Sequence, residues 1–289
     1  MELGSKIARG ALRRAGFAKE RSSYPFLSGD TYRTLSDHKF DPGWDPSRLR
    51  ILSYESSRHT LFVSLRNFEN FLGQIQALDV SFGSTILILH NHDSQPGISE
   101  MEFIASRFLK VYCANWVGPK ELATPLPLGL ENYSYLRNGV PRDYRKMIRK
   151  GLPPFETRPI EILGAFSIST NVPERSRAHE FLTSYPGAYV TTEFTSPGRY
   201  RDLVVDSKYV LSPPGSGTDC HRTWEAIYLG AIPIVLRSAW GFAEGELPVM
   251  IVDDWSEVPD QILISEIRNE ASILDLAEKY LVPLSDLTG

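Results

Sequence analysis

Long apolar runs, cysteine and an excess of basic residues are all scarce in this chain, and each scarcity excludes a class of protein. No stretch of about 18 consecutive apolar residues occurs, so no membrane-spanning helix is predicted. A formal net charge of −4 at pH 7 argues against a nucleic-acid partner, because proteins that bind nucleic acid present a basic face. The two cysteines, Cys113 and Cys220, lie far apart in apolar or helical contexts, which predicts reduced, buried thiols without a metal-binding spacing.

The composition is that of a globular protein, with 42% hydrophobic and 23% charged residues. A length of 289 residues suits two cores of about 130 residues each. Arg9, Arg13 and Arg14 interrupt the N-terminal apolar residues, so no secretory signal peptide is predicted and we expect a cytoplasmic protein.

Residues 1–22 form a basic segment with only a weak apolar stripe. One interpretation is peripheral contact with the anionic inner face of a membrane. The other is a solvated basic helix or a frayed terminus, and the sequence leaves both open. We assign residues 1–48 to this segment and the lead-in that follows it.

Residues 49–150 are predicted to form a first lobe in which strands and helices alternate. The strand candidates are 50–54, 61–65, 85–89 and 110–114, and the helix candidates are 68–78 and 98–108. Such alternation is typical of a parallel sheet covered by helices. A basic, proline-broken stretch at 138–159 then suggests a connection between lobes.

Residues 151–289 are predicted to form a second lobe of the same kind. Its strand candidates are 160–168, 188–194, 209–211, 232–236 and 249–252, and its helix candidates are 172–185, 200–206, 220–229 and 262–281. The predicted fold class is therefore α/β, with two Rossmann-like βαβ lobes.

The most informative segment is 208–236, which reads as strand, polar loop, helix and strand. Ligands of open α/β sheets bind at the carboxyl ends of the strands, where this loop lies. Gly215 and Gly217 allow the backbone to approach a ligand, and Ser216 and Thr218 supply donors beside the first free amides of the helix. Asp219 is predicted to be the N-cap of that helix.

Arg222 and Glu225 lie one helical turn apart and project from the same face. A cation in the first turn is unfavourable to the helix dipole unless it has an anionic partner. At this spacing the guanidinium of Arg222 would bind a diphosphate, and the carboxylate of Glu225 would accept hydrogen bonds from a pair of ribose hydroxyls. The alternative is an Arg–Glu pair on the surface.

The same segment carries a dense set of residues at fixed spacing, namely Gly215, Asp219, Arg222, Trp224, Glu225, Ala226, Gly230, Ile232, Pro233, Ile234 and Val235. This set resembles the C-terminal signature of exostosin-like glycosyltransferases, and the chain is most similar to short bacterial members that build surface polysaccharide. The resemblance implies the GT-B fold, in which two Rossmann-like lobes face each other across a cleft. It also implies an inverting transfer that needs no metal. It also implies a nucleotide-diphospho-sugar donor and a glycan or lipid-linked saccharide as acceptor. Trp224 itself is expected to pack in the core.

Transfer with inversion needs a base for the acceptor hydroxyl. His90 and Asp93 follow the predicted strand 85–89, and Asp30 lies in a polar block before the first lobe. For each the alternative is a turn or a cap; for Asp30 this is the N-cap of a helix. The loop 127–132 could place Glu131 at the junction of the lobes. The alternative interpretation is that this loop has only a structural role.

Further residues complete the predicted site. Ser169 follows a second-lobe strand and is expected to border the donor pocket, while His221 is read either as a ligand contact or as a surface imidazole. Two other functions stay open beside the transferase. One is a sugar-nucleotide epimerase of the same fold, and the other is an inactive relative that binds or assembles with a partner.

Overall fold

The computed structural model describes residues 23–191, 195–269 and 271–281. The basic segment 1–22 lies outside the described residues, and so does the membrane contact predicted for it. No helix in the described part of the chain combines the length and apolar character needed to cross a membrane.

The first lobe is built on a parallel sheet of five strands that follow one another in chain order. The strands are β1 (His38–Phe40), β2 (His59–Ser64), β3 (Phe82–His90), β4 (Phe108–Ala114) and β5 (Thr124–Leu126). The helices are α1 (Gly29–Leu35), α2 (Pro46–Tyr54), α3 (Phe68–Leu78) and α4 (Ile98–Ala105). Right-handed crossovers between strands in sequential order place their helices on the same face of a sheet.

The two faces of this sheet have different neighbours. Leu61, Leu87 and Leu89 belong to a core formed with the apolar side chains of α2, α3 and α4, such as Phe71. Alternate side chains of the same strands, including Ile88, instead join a core that contains residues of the second lobe. The second face therefore binds the rest of the molecule rather than a layer of crossover helices.

The second lobe is built on another parallel sheet of five strands, in the order β7-β6-β8-β9-β10. The strands are β6 (Ile160–Ala165), β7 (Ala188–Thr191), β8 (Ser207–Leu211), β9 (Ile232–Leu236) and β10 (Met250–Val252). The helices are α5 (Pro141–Lys150), α6 (Val172–Ser184), α7 (Pro197–Val205), α8 (His221–Tyr228), α9 (Val258–Ile264) and α10 (Ile273–Tyr280). The strand order reverses between β6 and β8, and such a switch point is where α/β sheets bind ligands.

A single apolar core joins the two lobes. Phe26 and Ile88 of the first lobe belong to the same buried cluster as Trp224 and Tyr228 on α8. The Tyr228 hydroxyl accepts a hydrogen bond of 2.8 Å from the backbone amide of Leu27. Trp224 is fully buried, as predicted. The lobes are consequently held together by packing as well as by the chain that connects them.

Most predicted elements are present, and the α/β class with two Rossmann-like lobes is confirmed. The prediction of a strand at 50–54 is wrong, because these residues continue α2. Asp45 caps that helix and Pro46 occupies its first turn, while Leu49 and Leu52 are buried at helical spacing. The first sheet also begins at His38, before the predicted start of the lobe at residue 49.

Candidate functional site

A cleft of about 680 Å³ opens at the switch point of the second sheet. The loop after β6 and the loop after β8 form one wall, together with the first turn of α8. Residues that follow β3 and β5 in the first lobe form the other wall. The cleft therefore lies between the lobes, at the carboxyl ends of their strands, as expected for a ligand site of this fold.

The structure brings most of the predicted donor residues together in this cleft. Those that line it are Gly215, Ser216, Gly217, Asp219, Arg222 and Glu225, and Asp93 lines it from the first lobe. Ser169 does not line the cleft, although its neighbours Ser167 and Thr170 do. Thr218, His90 and Asp30 also lie outside its lining.

Arg222 lines the cleft and has no carboxylate partner among the described residues. Its Nε donates a 3.0 Å hydrogen bond to the carbonyl of Ala165 at the end of β6, and its guanidinium lies 5.4 Å from the centre of the Phe166 ring. Its Nη1 is buried and has no hydrogen-bond partner among the described residues. Arg222 forms no ion pair with a described residue, and Glu225 is only 3% exposed, so the surface-pair interpretation is wrong.

Arg175 on α6 is a second cation of the cleft, and sequence reasoning missed it. It is 6% exposed. Its guanidinium donates to the carbonyls of Ser167 at 2.8 Å, Pro214 at 3.0 Å and Pro213 at 3.5 Å. These carbonyls belong to the loops after β6 and β8, so one side chain ties both sides of the switch point together. An arginine on an ordinary amphipathic helix carries no sequence signal for this role.

The two arginines meet at Phe166, whose side chain also lines the cleft. Arg175 lies 5.7 Å from the Phe166 ring centre, so both guanidinium groups contact the same aromatic side chain. Burial first, and then the charge of Arg222, lower the pKa of Arg175 from its ordinary value. Two cations that repel each other in a desolvated site are stabilised by an anion between or beside them.

Glu225 supplies a carboxylate beside this cationic site. Burial raises its pKa above the ordinary value, while His221, Tyr200 and Arg222 act in the opposite direction. A buried carboxylate of this kind is suited to accept hydrogen bonds from neutral donors such as hydroxyl groups.

The glycines of the β8–α8 loop are required by close packing. A Cβ on Gly215 would lie 2.6 Å from Nη2 of Arg175, and a Cβ on Gly217 would lie 2.7 Å from Oδ1 of Asn115. Thr218 bridges the lobes, because its hydroxyl donates to the carbonyl of Asn115 at 3.0 Å and accepts from Gln95 at 3.1 Å. The β8–α8 loop therefore packs against both Arg175 and the first lobe.

Asp219 is not the N-cap of α8. The cap position is Cys220, which makes no side-chain capping bond. The Asp219 carboxylate instead accepts from the amide of Leu128 at 2.9 Å, the indole of Trp224 at 2.8 Å and the amide of Cys220 at 2.7 Å. The carboxylate therefore hydrogen-bonds to the buried Trp224 and to the Leu128 amide of the facing lobe instead of capping α8. In this way it connects the two lobes.

The burial of Asp219 predicts a pH-dependent stability. Desolvation raises its pKa from 3.8 to about 6, so the folded protein binds this proton more tightly than the unfolded chain does. Its contribution to stability is greatest below about pH 4 and is lost as the pH rises through about 6. We therefore subtract the free energy of unfolding of Asp219→Asn from that of the wild type, and we expect this difference to fall by roughly 2–2.5 kcal/mol from pH 4 to pH 7. Urea denaturation across this range measures the difference, and a flat or rising difference would contradict the prediction.

His90 is buried and engaged at both ring nitrogens. Its Nε2 lies 3.1 Å from the carbonyl of Pro127, and its Nδ1 accepts from the amide of Asn91 at 2.7 Å. Burial lowers its pKa to about 4. The neutral ring therefore has no free lone pair for a substrate proton, and its geometry is that of a structural residue.

Asp30 and Asp93 differ in their surroundings. Asp30 is buried in the first turn of α1 and accepts from the amide of Tyr133 at 2.6 Å. It is not the N-cap, since Ser28 occupies that position and accepts from the amide of Thr31. Asp93 is exposed in the loop after β3 and borders the cleft. Only Asp93 of the three predicted bases is accessible to a ligand in the cleft.

His221 occupies the position that the sequence left ambiguous. It begins α8 and lines the cleft, and its Nδ1 lies 2.7 Å from the carbonyl of Gly129 in the first lobe. A carbonyl accepts, so Nδ1 carries the proton of the neutral ring and Nε2 keeps its lone pair. Nε2 has no protein partner among the described residues. Glu131 also lines the cleft, and it accepts from the amide of Asn138 at 3.1 Å.

No model of a protein family matches the chain, and no curated protein matches it either. The resemblance of residues 215–235 to exostosin-like glycosyltransferases therefore stays a prediction. In the described part of the chain, no group of three or more His, Cys, Asp or Glu side chains is placed to hold a metal ion.

Proposed function

We propose that the chain is an inverting glycosyltransferase of the GT-B type, similar to the exostosin-like enzymes. It would move a sugar from a nucleoside-diphospho-sugar to a hydroxyl of a glycan or lipid-linked saccharide, as in bacterial surface polysaccharide synthesis. The observation that carries the proposal is Arg222. It lines a switch-point cleft without forming an ion pair to any residue that the structure describes, and it lies one helical turn from a buried carboxylate.

The donor would be held by the second lobe. Arg222 and the free amides at the start of α8 suit a diphosphate, because a guanidinium and a helix N-terminus both favour an anion. Glu225 would accept hydrogen bonds from two ribose hydroxyls. When the sugar departs, the negative charge of the nucleoside diphosphate would fall on Arg222 and the α8 dipole, so this scheme requires no metal.

The acceptor would enter between the lobes and meet His221. Its Nε2 would take the proton of the acceptor hydroxyl while the oxygen attacks the anomeric carbon and the bond to the diphosphate breaks. The hydrogen bond from Nδ1 to Gly129 would fix the tautomer and the ring orientation. Asp93 is the second candidate for this base, because it lines the same cleft.

Nucleotide titration of the wild type and Arg222→Ala tests the donor site. One of UDP, GDP, CMP and ADP should bind the wild type, and the variant should bind it about 10- to 150-fold more weakly, because a charge-assisted hydrogen bond is lost. Isothermal titration measures both affinities, and EDTA should leave them unchanged. Arg50→Ala, an exposed cation on α2, is the matched control and should bind normally.

Two results would redirect the proposal. If folded wild-type protein binds none of these nucleotides, the donor site is refuted. If a nucleotide binds through Arg222 but the corresponding nucleotide sugar is never turned over, with or without an added glycan, the chain is a binding protein that has the site without the transferase activity.

A further inference from the structure

Helix α5 carries an exposed face of five cations, which we call the α5 basic face. It consists of Arg142, Arg145, Lys146, Arg149 and Lys150. At about 100° of rotation per residue these side chains fall within an arc of about 140°, and Tyr144, Met147 and Ile148 occupy the opposite arc. All five cations are exposed, and none forms an ion pair with a described residue.

The positive charge of this face contrasts with the charge of the whole chain. The chain as a whole carries a formal net charge of −4. Asp143, which is paired with Arg201 at 2.8 Å, lines a groove at one edge of the face together with Lys146 and Lys150. Among the described residues, no acidic side chain lines the groove formed by Arg142, Arg145 and Arg149. Five like charges on adjacent turns of one helix repel each other, so an external anionic partner would stabilise the arrangement.

Apolar side chains adjoin the α5 basic face and indicate the nature of the partner. Ile148 and Ile273 line a shallow groove of about 350 Å³ together with Arg142, Arg145 and Arg149. Leu274, the next residue on α10, is 67% exposed. Tyr24 is 50% exposed, and its carbonyl accepts a 2.5 Å hydrogen bond from Arg145.

We infer that the α5 basic face and this groove bind the surface of an anionic membrane. Cations surrounded by exposed tyrosine and aliphatic side chains are the combination that suits an interface between charged headgroups and hydrocarbon. A soluble polyanion would use the charges but would leave the exposed side chain of Leu274 without a role. The inference is independent of the proposed function, because it concerns a different surface and needs no donor.

Vesicle sedimentation tests the inference with the full chain. The probes are phosphatidylcholine vesicles with and without about 40% phosphatidylglycerol, at low and high salt. The wild type should bind the anionic vesicles at low salt and be released at high salt. Arg142→Gln, Arg149→Gln and Lys150→Gln together should weaken binding on the order of 100-fold, because each basic residue near an anionic surface contributes roughly fivefold.

The matched control removes three exposed cations from the first lobe, by Arg50→Gln, Arg58→Gln and Lys120→Gln. It has the same net charge as the α5 variant and should bind like the wild type. Equal binding by the two variants would overturn the inference, since it would assign membrane contact to overall charge or to residues 1–22. Failure of the wild type to bind vesicles, with retention on an immobilised polyanion, would overturn it in favour of a soluble polyanionic partner.

Discussion

Replacing His221 with alanine is expected to slow turnover of the nucleotide-sugar donor by about 10²–10⁴-fold, the usual contribution of a general base. The nucleoside diphosphate should still bind with an affinity close to that of the wild type, because Arg222 and Glu225 are intact. Release of nucleoside diphosphate, measured with and without an added glycan acceptor, reports the rate. Titration of the same nucleotide reports the affinity.

A second variant separates proton transfer from the contact between the lobes. His221→Asn can still donate to the carbonyl of Gly129, which the wild-type Nδ1 contacts at 2.7 Å, but it lacks Nε2. It should be as slow as the alanine variant. If asparagine instead restores turnover, His221 acts by holding the lobes together. If Asp93→Ala is slow and both His221 variants are active, Asp93 is the base.

Replacing Arg175 with alanine should lower the free energy of unfolding by roughly 3–5 kcal/mol. The change removes charge-assisted hydrogen bonds to the carbonyls of Ser167, Pro213 and Pro214, and each such bond contributes about 1.5–3 kcal/mol before relief of cation repulsion is subtracted. Urea denaturation measures the loss. Arg175→Lys should recover only part of it, because one ammonium cannot reach the carbonyls of both loops.

A neighbour on the same helix provides the control for Arg175. Arg177 is about half exposed and pairs with Glu174 and Asp254 at the surface, so Arg177→Ala should have a much smaller effect. Similar losses from the two substitutions would show that Arg175 does not anchor the loops of the cleft.

The contrast with Arg222 follows from the same electrostatics. Among the described residues, Arg222 makes one hydrogen bond to a carbonyl, and its charge repels that of Arg175. Its removal should therefore cost little stability, less than about 1 kcal/mol, even though nucleotide binding is weakened. Two arginines beside the same Phe166 ring would then have separate roles, one in the scaffold and one toward the ligand.

How much of the site the sequence could predict depended on the distance between residues along the chain. Gly215, Gly217, Arg222 and Glu225 lie within one strand–loop–helix unit, so their place in the cleft followed from local patterns. Arg175 enters the same site from another helix, and its partners lie 8 to 39 residues away along the chain. Such a contact has no local signature. His90 is the opposite case. Its position at a strand end predicted that it would face the cleft, but its ring is buried and its Nε2 lies beside the carbonyl of Pro127.

The sequence by itself determined the α/β class, the two series of alternating strands and helices, and the loop that carries Arg222. These properties depend on apolar periodicity, glycine and proline, which act over a few residues. The tertiary structure alone decided the strand orders, the core shared by the lobes and the conversion of Asp219 from an expected helix cap into a bridge to Leu128. It also paired His221 with Gly129. The physical reason is that burial and hydrogen bonding between distant segments override local preference wherever a polar group must find its partner inside the protein.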